Sequence, residues 1–545
     1  MSRRPLLVVL ALALASRPLP VAARAGAVAT EHRLAAEAGA TILRSGGSAA
    51  DAAIAAAAAV CFVHPSSCGI GGGGFALVRT ADGRTAALDY RETAPAAATP
   101  DRYLDGGRPV PARTRTGGLA VAVPGEVAGW VALHARFGVL PLADVLAPAV
   151  RLARDGFPLA ESPHLRAQIE RNLALLRADP GLRAVFLDAE GNPPPPTGRI
   201  VQADLARTLE TVGRRGLPGF LVSTTAIVQA VHRRDGVLAA GDLQGYRPQW
   251  RDPLEASFRG YRVLTFPPPG SGGIVLEILG LLGEDDLPAL PAATYLHLLA
   301  GAMAQGFTDR AAWYGDTRVP VRTLLDRERL RRLRAGIPLD RVVEPVAALT
   351  IDAGTAHVSV VDADGNAVAI TTTINTAFGA GILVPGTGIV LNNEMDDFAL
   401  PGGRNVYGLS GSVANAIAPG KRPQSSMSPT IVLDGERPML VVGGSGGPLI
   451  VSGVAQTVLG TVAFGHDVRT AVDAPRIHDQ ASSPPALAAE PAVAADVRAA
   501  LAAIGHRVIE LPAVGAVAAV GLDARGQPVA AGDRRKDGGD VVVER

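Results

Sequence analysis

The chain has 545 residues, is 48% hydrophobic and 19% charged, and sets 52 basic against 51 acidic side chains for a net charge of +1. On length alone it suggests two to four domains, with enough apolar material for a large core. The charge balance gives no reason to expect a nucleic-acid partner or attraction to an anionic membrane surface.

Residues 1–25 read as a secretory signal. Arg3 and Arg4 form the basic start, residues 6–15 an apolar run too short to span a bilayer, and Ala23-Arg24-Ala25 a small-residue cleavage motif, with Val21-Ala22-Ala23 as a rival. Ser2-Arg3-Arg4 also resembles a twin-arginine start, so the export route stays open, and the expected location is periplasmic or secreted. Helical spacing runs over 31–43, breaks at Gly46-Gly47, and restarts with Ser48 as cap and Asp51 as first-turn acid. Residues 52–60 are apolar all round, which predicts a buried helix. Cys61 and Cys68 are the only cysteines. A buried thiol and a short-loop disulfide are the readings; a metal site with His64 lacks a fourth ligand.

Residues 75–79 and 85–90 read as strands joined at Asp82-Gly83. Helices are expected at 125–137, 142–155 and 165–176, a proline-rich loop at 192–196, and then helices with one short strand as far as 334. Residues 335–354 read as a connector. From Thr355 the period changes to two: 355–362 and 367–373 flank the hairpin signal Asp364-Gly365-Asn366. Further strands are expected at 388–391, 430–433 and 439–442, and helices at 449–464 and 491–504. The order fits an α+β core of strands covered by helices better than a βαβ repeat.

Gly354-Thr355-Ala356-His357 puts a small residue before a threonine that opens an apolar, β-branched run. Cleavage of the 354–355 bond would give Thr355 an α-amine with a reference pKa of about 7.7–8.0, able to accept the proton of its own hydroxyl. Taken alone, a threonine at a strand start is structural. Other motifs compete. Gly69-x-Gly71-x-x-Gly74 follows a helix and precedes a strand, the reverse of a dinucleotide site. Gly443-Gly444-Ser445-Gly446-Gly447 fits a nucleophile elbow with Ser445 and His478 or His506, or a backbone oxyanion hole, or a tight turn. Glu394, Asp396 and Asp397 read in isolation as a solvated acidic turn, and Arg91 as a surface ion-pair residue or a carboxylate clamp.

Together these segments resemble the γ-glutamyltranspeptidase family of N-terminal-nucleophile hydrolases, over residues 26–540. The matching stretches are Gly46-Gly47-Ser48-Ala49-Ala50-Asp51-Ala52-Ala53, Gly71-Gly72-Gly73-Gly74-Phe75, Asp89-Tyr90-Arg91-Glu92-Thr93-Ala94-Pro95, Pro267-Pro268-Pro269-Gly270-Ser271-Gly272-Gly273, Thr355-Ala356-His357, 392–398, Asn405-Val406-Tyr407-Gly408-Leu409, and 421–430. The resemblance implies a four-layer αββα sandwich. It also implies a precursor that cuts itself between Gly354 and Thr355 into portions 26–354 and 355–545, which stay together as a heterodimer. Thr355 is then the nucleophile, Thr373 its hydroxyl partner, and Gly446 and Gly447 the oxyanion donors. Arg91, Ser425 and Ser426 would meet the α-carboxylate of a γ-glutamyl donor; Asn375, Glu394 and Asp397 would meet its ammonium. Tyr407 would gate a lid over 401–412, whose presence favours glutamyl over bulky β-lactam substrates. Glutathione is the expected donor, and water, an amino acid or a peptide the acceptor. The reaction so read calls for no cofactor and no metal. An acylase of the same superfamily and a Ser445 esterase are the alternatives. Two departures from the family pattern stand out: Pro448-Leu449 after the glycine pair, and Gly270 in the proline-rich loop.

Overall fold

A computed structural model of the chain describes residues 25–342, 354–481, 486–523 and 525–544. The signal reading therefore lies outside the described residues except at Ala25, and so does the part of the connector at 343–353.

Two antiparallel sheets lie face to face. The first runs Gly539–Glu544, Ala25–Thr30, Gly354–Val361, Ala367–Asn375, Gly73–Arg79, Thr85–Tyr90, Gln249–Arg251; the second runs Pro528–Gly532, Ala516–Leu522, Arg437–Ser445, Thr430–Asp434, Tyr261–Thr265, Leu254–Phe258. Strand alternation assigns the layers. Ala356, Val358 and Val360 pack with the helices Arg33–Arg44 and Ala49–Val63 on the outer face, while Ala367 and Ala369 point inward to Ile431, Val441 and Ala519 of the second sheet. Gly272–Leu281 and Leu449–Val462 cover the far side of that sheet, giving the order helix, sheet, sheet, helix. The fold is the αββα sandwich of the N-terminal-nucleophile type. No described helix is long and apolar enough to cross a membrane.

Local chemistry explains the elements nearest the site. Ser48 and Asp51 form a reciprocal capping box at the start of Ala49–Val63, and every residue of that helix is buried. Cys61 at its end is joined to Cys68 by a disulfide, the second of the two readings of this pair. The strand Gly354–Val361 lies between Ala25–Thr30 and Ala367–Asn375, so segments before and after residue 354 alternate within one sheet.

Three expectations need correction. Residues 165–176 are not one helix: Pro163–Arg171 and Leu173–Ala178 meet at Asn172, whose side-chain amide donates to the Gln168 carbonyl and competes with the helical ladder. The stretch between 197 and 334 holds four strands rather than one, Arg199–Ile200, Gln249–Arg251, Leu254–Phe258 and Tyr261–Thr265, with Arg259 and Gly260 both at positive φ between the last two. The last thirty residues contribute Ala516–Leu522 and Pro528–Gly532, rich in alanine, and Gly539–Glu544, whose valines are consecutive, so none shows a clear period-two alternation.

Glu126 shows how dry the helix–sheet interface is. Its carboxylate accepts a hydrogen bond from Thr372 Oγ1 at 2.7 Å, and burial pushes its pKa up to about 8. A carboxyl raised in the folded state binds its proton more tightly there than in the unfolded chain. Its stabilising share is complete below the unfolded value near 4.5 and is lost as pH rises toward 8. Glu126→Gln is therefore expected to raise the thermal midpoint at pH 9 by about 2 °C or more and to leave it nearly unchanged at pH 5, read by scanning calorimetry.

Candidate active site

Thr355 is buried, and its side chain alternates with the apolar Ala356, Val358 and Val360 to face the space between the sheets. A register shift falls between Gly354 and Thr355, where a bulge turns the chain out of the regular ladder. Thr373 sits directly opposite Thr355. The two hydroxyl oxygens are 3.3 Å apart, and Thr373 Oγ1 donates to the Gly354 carbonyl at 2.5 Å. With the Thr373 proton committed to that carbonyl, the Thr355 hydroxyl donates to Thr373. A Cβ at residue 354 would lie 2.6 Å from the carbonyl oxygens of Asn375 and Thr376, so only glycine fits before the nucleophile candidate.

Asn375 ends the partner strand at φ 74°. Its left-handed backbone is held by three bonds: its N–H donates to Thr373 Oγ1 (2.8 Å), its side-chain amide donates to the Asn393 carbonyl (3.0 Å), and its carbonyl accepts from Tyr407 OH (3.0 Å). Tyr407 OH also reaches Asn375 Oδ1 at 2.9 Å. The Tyr407 ring lies against Gly447, where an added Cβ would come within 2.6 Å of it; Gly447 has φ 58° and Gly446 φ 124°. A chain of contacts thus runs from Thr355 through Thr373 and Asn375 to Tyr407 and from there to Gly447.

The acidic turn is buried rather than solvated, a short 3-10 helix over Glu394–Asp397. Arg91, 1% exposed, enters it from the end of Thr85–Tyr90. Its guanidinium is 2.8 Å from Glu394, 2.5 Å from Asp397 and 3.6 Å from Glu92. Burial pushes Glu92 up to about 8 and Glu394 well above the usual carboxylate range, against the pull of Arg91. Arg91 also donates to the carbonyls of Gln424 (3.2 Å) and Pro423 (3.4 Å), which brings the serine loop alongside. Ser425 is fixed by backbone contacts to Pro269 and Ser271, and Ser426 Oγ accepts from Arg310 at 3.3 Å. All the sequence-derived site residues therefore gather at one end of the space between the sheets.

Several neighbours were not anticipated. Asp396 ties residues 401–412 down by accepting the Val406 N–H at 2.6 Å, and Asp397 accepts from Asn405 at 3.1 Å. The cavity left beside Asp397, Arg310 and Gln424 is about 40 Å³. Lys536 donates to the Thr355 carbonyl at 2.7 Å. In the sequence it is hidden in the charged run 533–537, and its one signal is rarity: Lys421 and Lys536 are the only lysines. The serine-esterase arrangement is not formed among the described residues. His478 bonds Ser452 (2.7 Å) and His506 bonds His297 (2.7 Å), and neither reaches Ser445.

A threonine opening a central strand of an αββα sandwich, with a hydroxyl partner across the ladder, belongs to the class of N-terminal-nucleophile hydrolases. Within that class the chain is a member of the γ-glutamyltranspeptidase family, whose sequence profile, Gamma-glutamyltranspeptidase, matches residues 35–543. It is 38% identical to the glutathione hydrolase proenzyme of Escherichia coli (strain K12) over 533 residues, covering 95% of this chain and 91% of that one. It is 36% identical to the Acylase ACY 1 proenzyme of Pseudomonas sp. (strain V22) over 542 residues, 96% of this chain and 94% of the relative. Among solved structures, cephalosporin acylase from Bacillus halodurans superposes with a TM-score of 0.84 at 29% identity, over 98% of this chain and 99% of that one.

Proposed function

We propose that the protein is an autoprocessing γ-glutamyltransferase and glutathione hydrolase whose nucleophile is Thr355. The observation that carries this reading is the Thr373 hydroxyl, which touches both the Thr355 hydroxyl and the Gly354 carbonyl. In the precursor, Thr355 Oγ attacks the Gly354 carbonyl carbon while Thr373 donates to its oxygen. The C–N bond breaks as the acyl group shifts from N to O, which frees the Thr355 amine, and water then hydrolyses the ester to release the Gly354 carboxylate. Portions 26–354 and 355–545 then remain together as a heterodimer, because their strands alternate in one sheet. In the mature enzyme the Thr355 amine takes the hydroxyl proton as Oγ attacks the γ-glutamyl amide, and it returns a proton to the leaving amine. The Gly446 and Gly447 N–H groups receive the oxyanion. Water or an acceptor amine then releases the glutamyl group.

Arg91 already holds carboxylates, so an incoming zwitterion exchanges partners: its α-carboxylate takes Arg91 with Ser425 and Ser426, and its ammonium takes Asn375, Glu394 and Asp397. The Tyr407 ring lies against Gly447, so the loop at 401–412 acts as a lid and Tyr407 swings off Gly447 to admit the glutamyl group. The signal-like start and the Cys61–Cys68 disulfide favour a periplasmic or secreted enzyme.

The likeness to acylases keeps a second reading in view, and substrate choice separates the two. γ-Glutamyl p-nitroanilide and glutaryl p-nitroanilide differ by the α-amine alone. The glutamyl reading predicts a preference for the former of about 10²-fold or more in kcat/KM, because its loss leaves buried carboxylates unpaired. An equal or reversed preference would favour the acylase.

A further inference from the structure

Lys536 is almost fully buried. Four oxygens converge on its ammonium: Glu31 Oε2 at 2.5 Å, the Thr355 carbonyl at 2.7 Å, Ser67 Oγ at 3.1 Å and Ser445 Oγ at 3.5 Å. They come from the end of Ala25–Thr30, the nucleophile strand, the loop after Ala49–Val63, and the residue preceding the glycine pair. The turn that carries Lys536 is pinned on both sides. Asp533 is bound by Arg476 (2.8 Å), Arg535 (3.2 Å) and the Val517 N–H (3.0 Å). Asp537 accepts from Ser162 Oγ (2.6 Å), the His164 N–H (3.1 Å) and His64 Nε2 (3.0 Å). His64 and His164 themselves are kept neutral by burial, with the nearby Lys536 charge acting in the same direction. Lysine is used twice among 52 basic residues, and a compact ammonium suits four converging oxygens where a planar guanidinium fork would not.

We propose that Lys536 is a positioning residue for the nucleophile: it fixes the Thr355 peptide group from behind and sets a positive charge, partly balanced by Glu31, beside the α-amine that cleavage creates. This rests on Thr355 being the nucleophile. A chain terminus frays unless tied down, and the Thr355 carbonyl is the first backbone group inside the new terminus. A cation close to an amine disfavours the amine's protonated form. The base that must accept the Thr355 hydroxyl proton is thereby kept free at lower pH, and Glu31 limits the effect.

The two halves of the pair make opposite predictions. With mature enzyme and γ-glutamyl p-nitroanilide, Lys536→Met moves the acidic limb of the kcat profile up by about one pH unit, lowers kcat at pH 7 about tenfold, and leaves KM within about twofold. Glu31→Gln keeps the ammonium and removes its counter-charge, so the limb moves down. If Lys536→Met folds but stays uncleaved, the Glu31→Gln shift decides. Limbs that do not move, or that move the same way in both variants, overturn the assignment of Lys536. Failure of the nucleophile reading is recognised separately, by activity surviving in Thr355→Ala.

Discussion

Thr355→Ala is expected to yield one uncleaved chain with γ-glutamyl turnover reduced by about 10⁴-fold or more. Both losses share a cause. The hydroxyl removed is the one that faces Thr373, and Thr373 donates to the carbonyl of the bond to be cut. Without Oγ there is no atom to take the Gly354 acyl group, so no α-amine is made and no base appears. The backbone should not suffer: Ala at 355 keeps the strand, and its partners across the ladder are unchanged. Thr355→Ser retains the hydroxyl without the methyl that restricts its rotamer, and should cleave slowly and work weakly. Denaturing gels and p-nitroaniline release read the two effects, and an unchanged thermal midpoint separates them from misfolding.

Arg91→Met is expected to lower kcat/KM by about 10³-fold, chiefly through KM, and to destabilise the fold by about 3–5 kcal/mol. Methionine fills much of the volume but leaves Glu92, Glu394 and Asp397 in a dry pocket without their cation. The pH dependence has a definite sign. Glu92 is raised to about 8 and Glu394 well above the usual carboxylate range by burial with Arg91 present, and removing Arg91 raises both further. The folded variant then binds protons that the unfolded chain releases above about 4.5, so stability falls with rising pH. The gap in thermal midpoint between wild type and Arg91→Met should be small at pH 5 and wide at pH 9. Arg91→Lys keeps the charge but loses the fork that spans two carboxylates, and should fall between them.

The parts of the site visible in the sequence are those set by local pattern. A threonine opening a period-two run and glycines after a strand mark Thr355 and Gly446-Gly447 because each depends on neighbours a few residues away, whereas the role of Thr373 came with the resemblance. Arg91 and Asp397 are 306 positions apart, and residue by residue each looked like surface charge. Only the resemblance joined them, since burial is decided by packing that no local window contains. Asp396 and Lys536 escaped for the same reason: an acid beside two others and a lysine in a charged run look solvated until the fold closes over them. The closing strands Ala516–Leu522 and Gly539–Glu544 were invisible because the alanines of the first record no face preference and the three consecutive valines of the second show no period-two alternation.

The most direct test is the N-terminal sequence of the smaller fragment from purified, active protein. The account predicts a fragment beginning Thr-Ala-His-Val-Ser at Thr355, beside a larger one ending at Gly354. Full activity from a single intact chain, or a fragment whose first residue is any other, would contradict it.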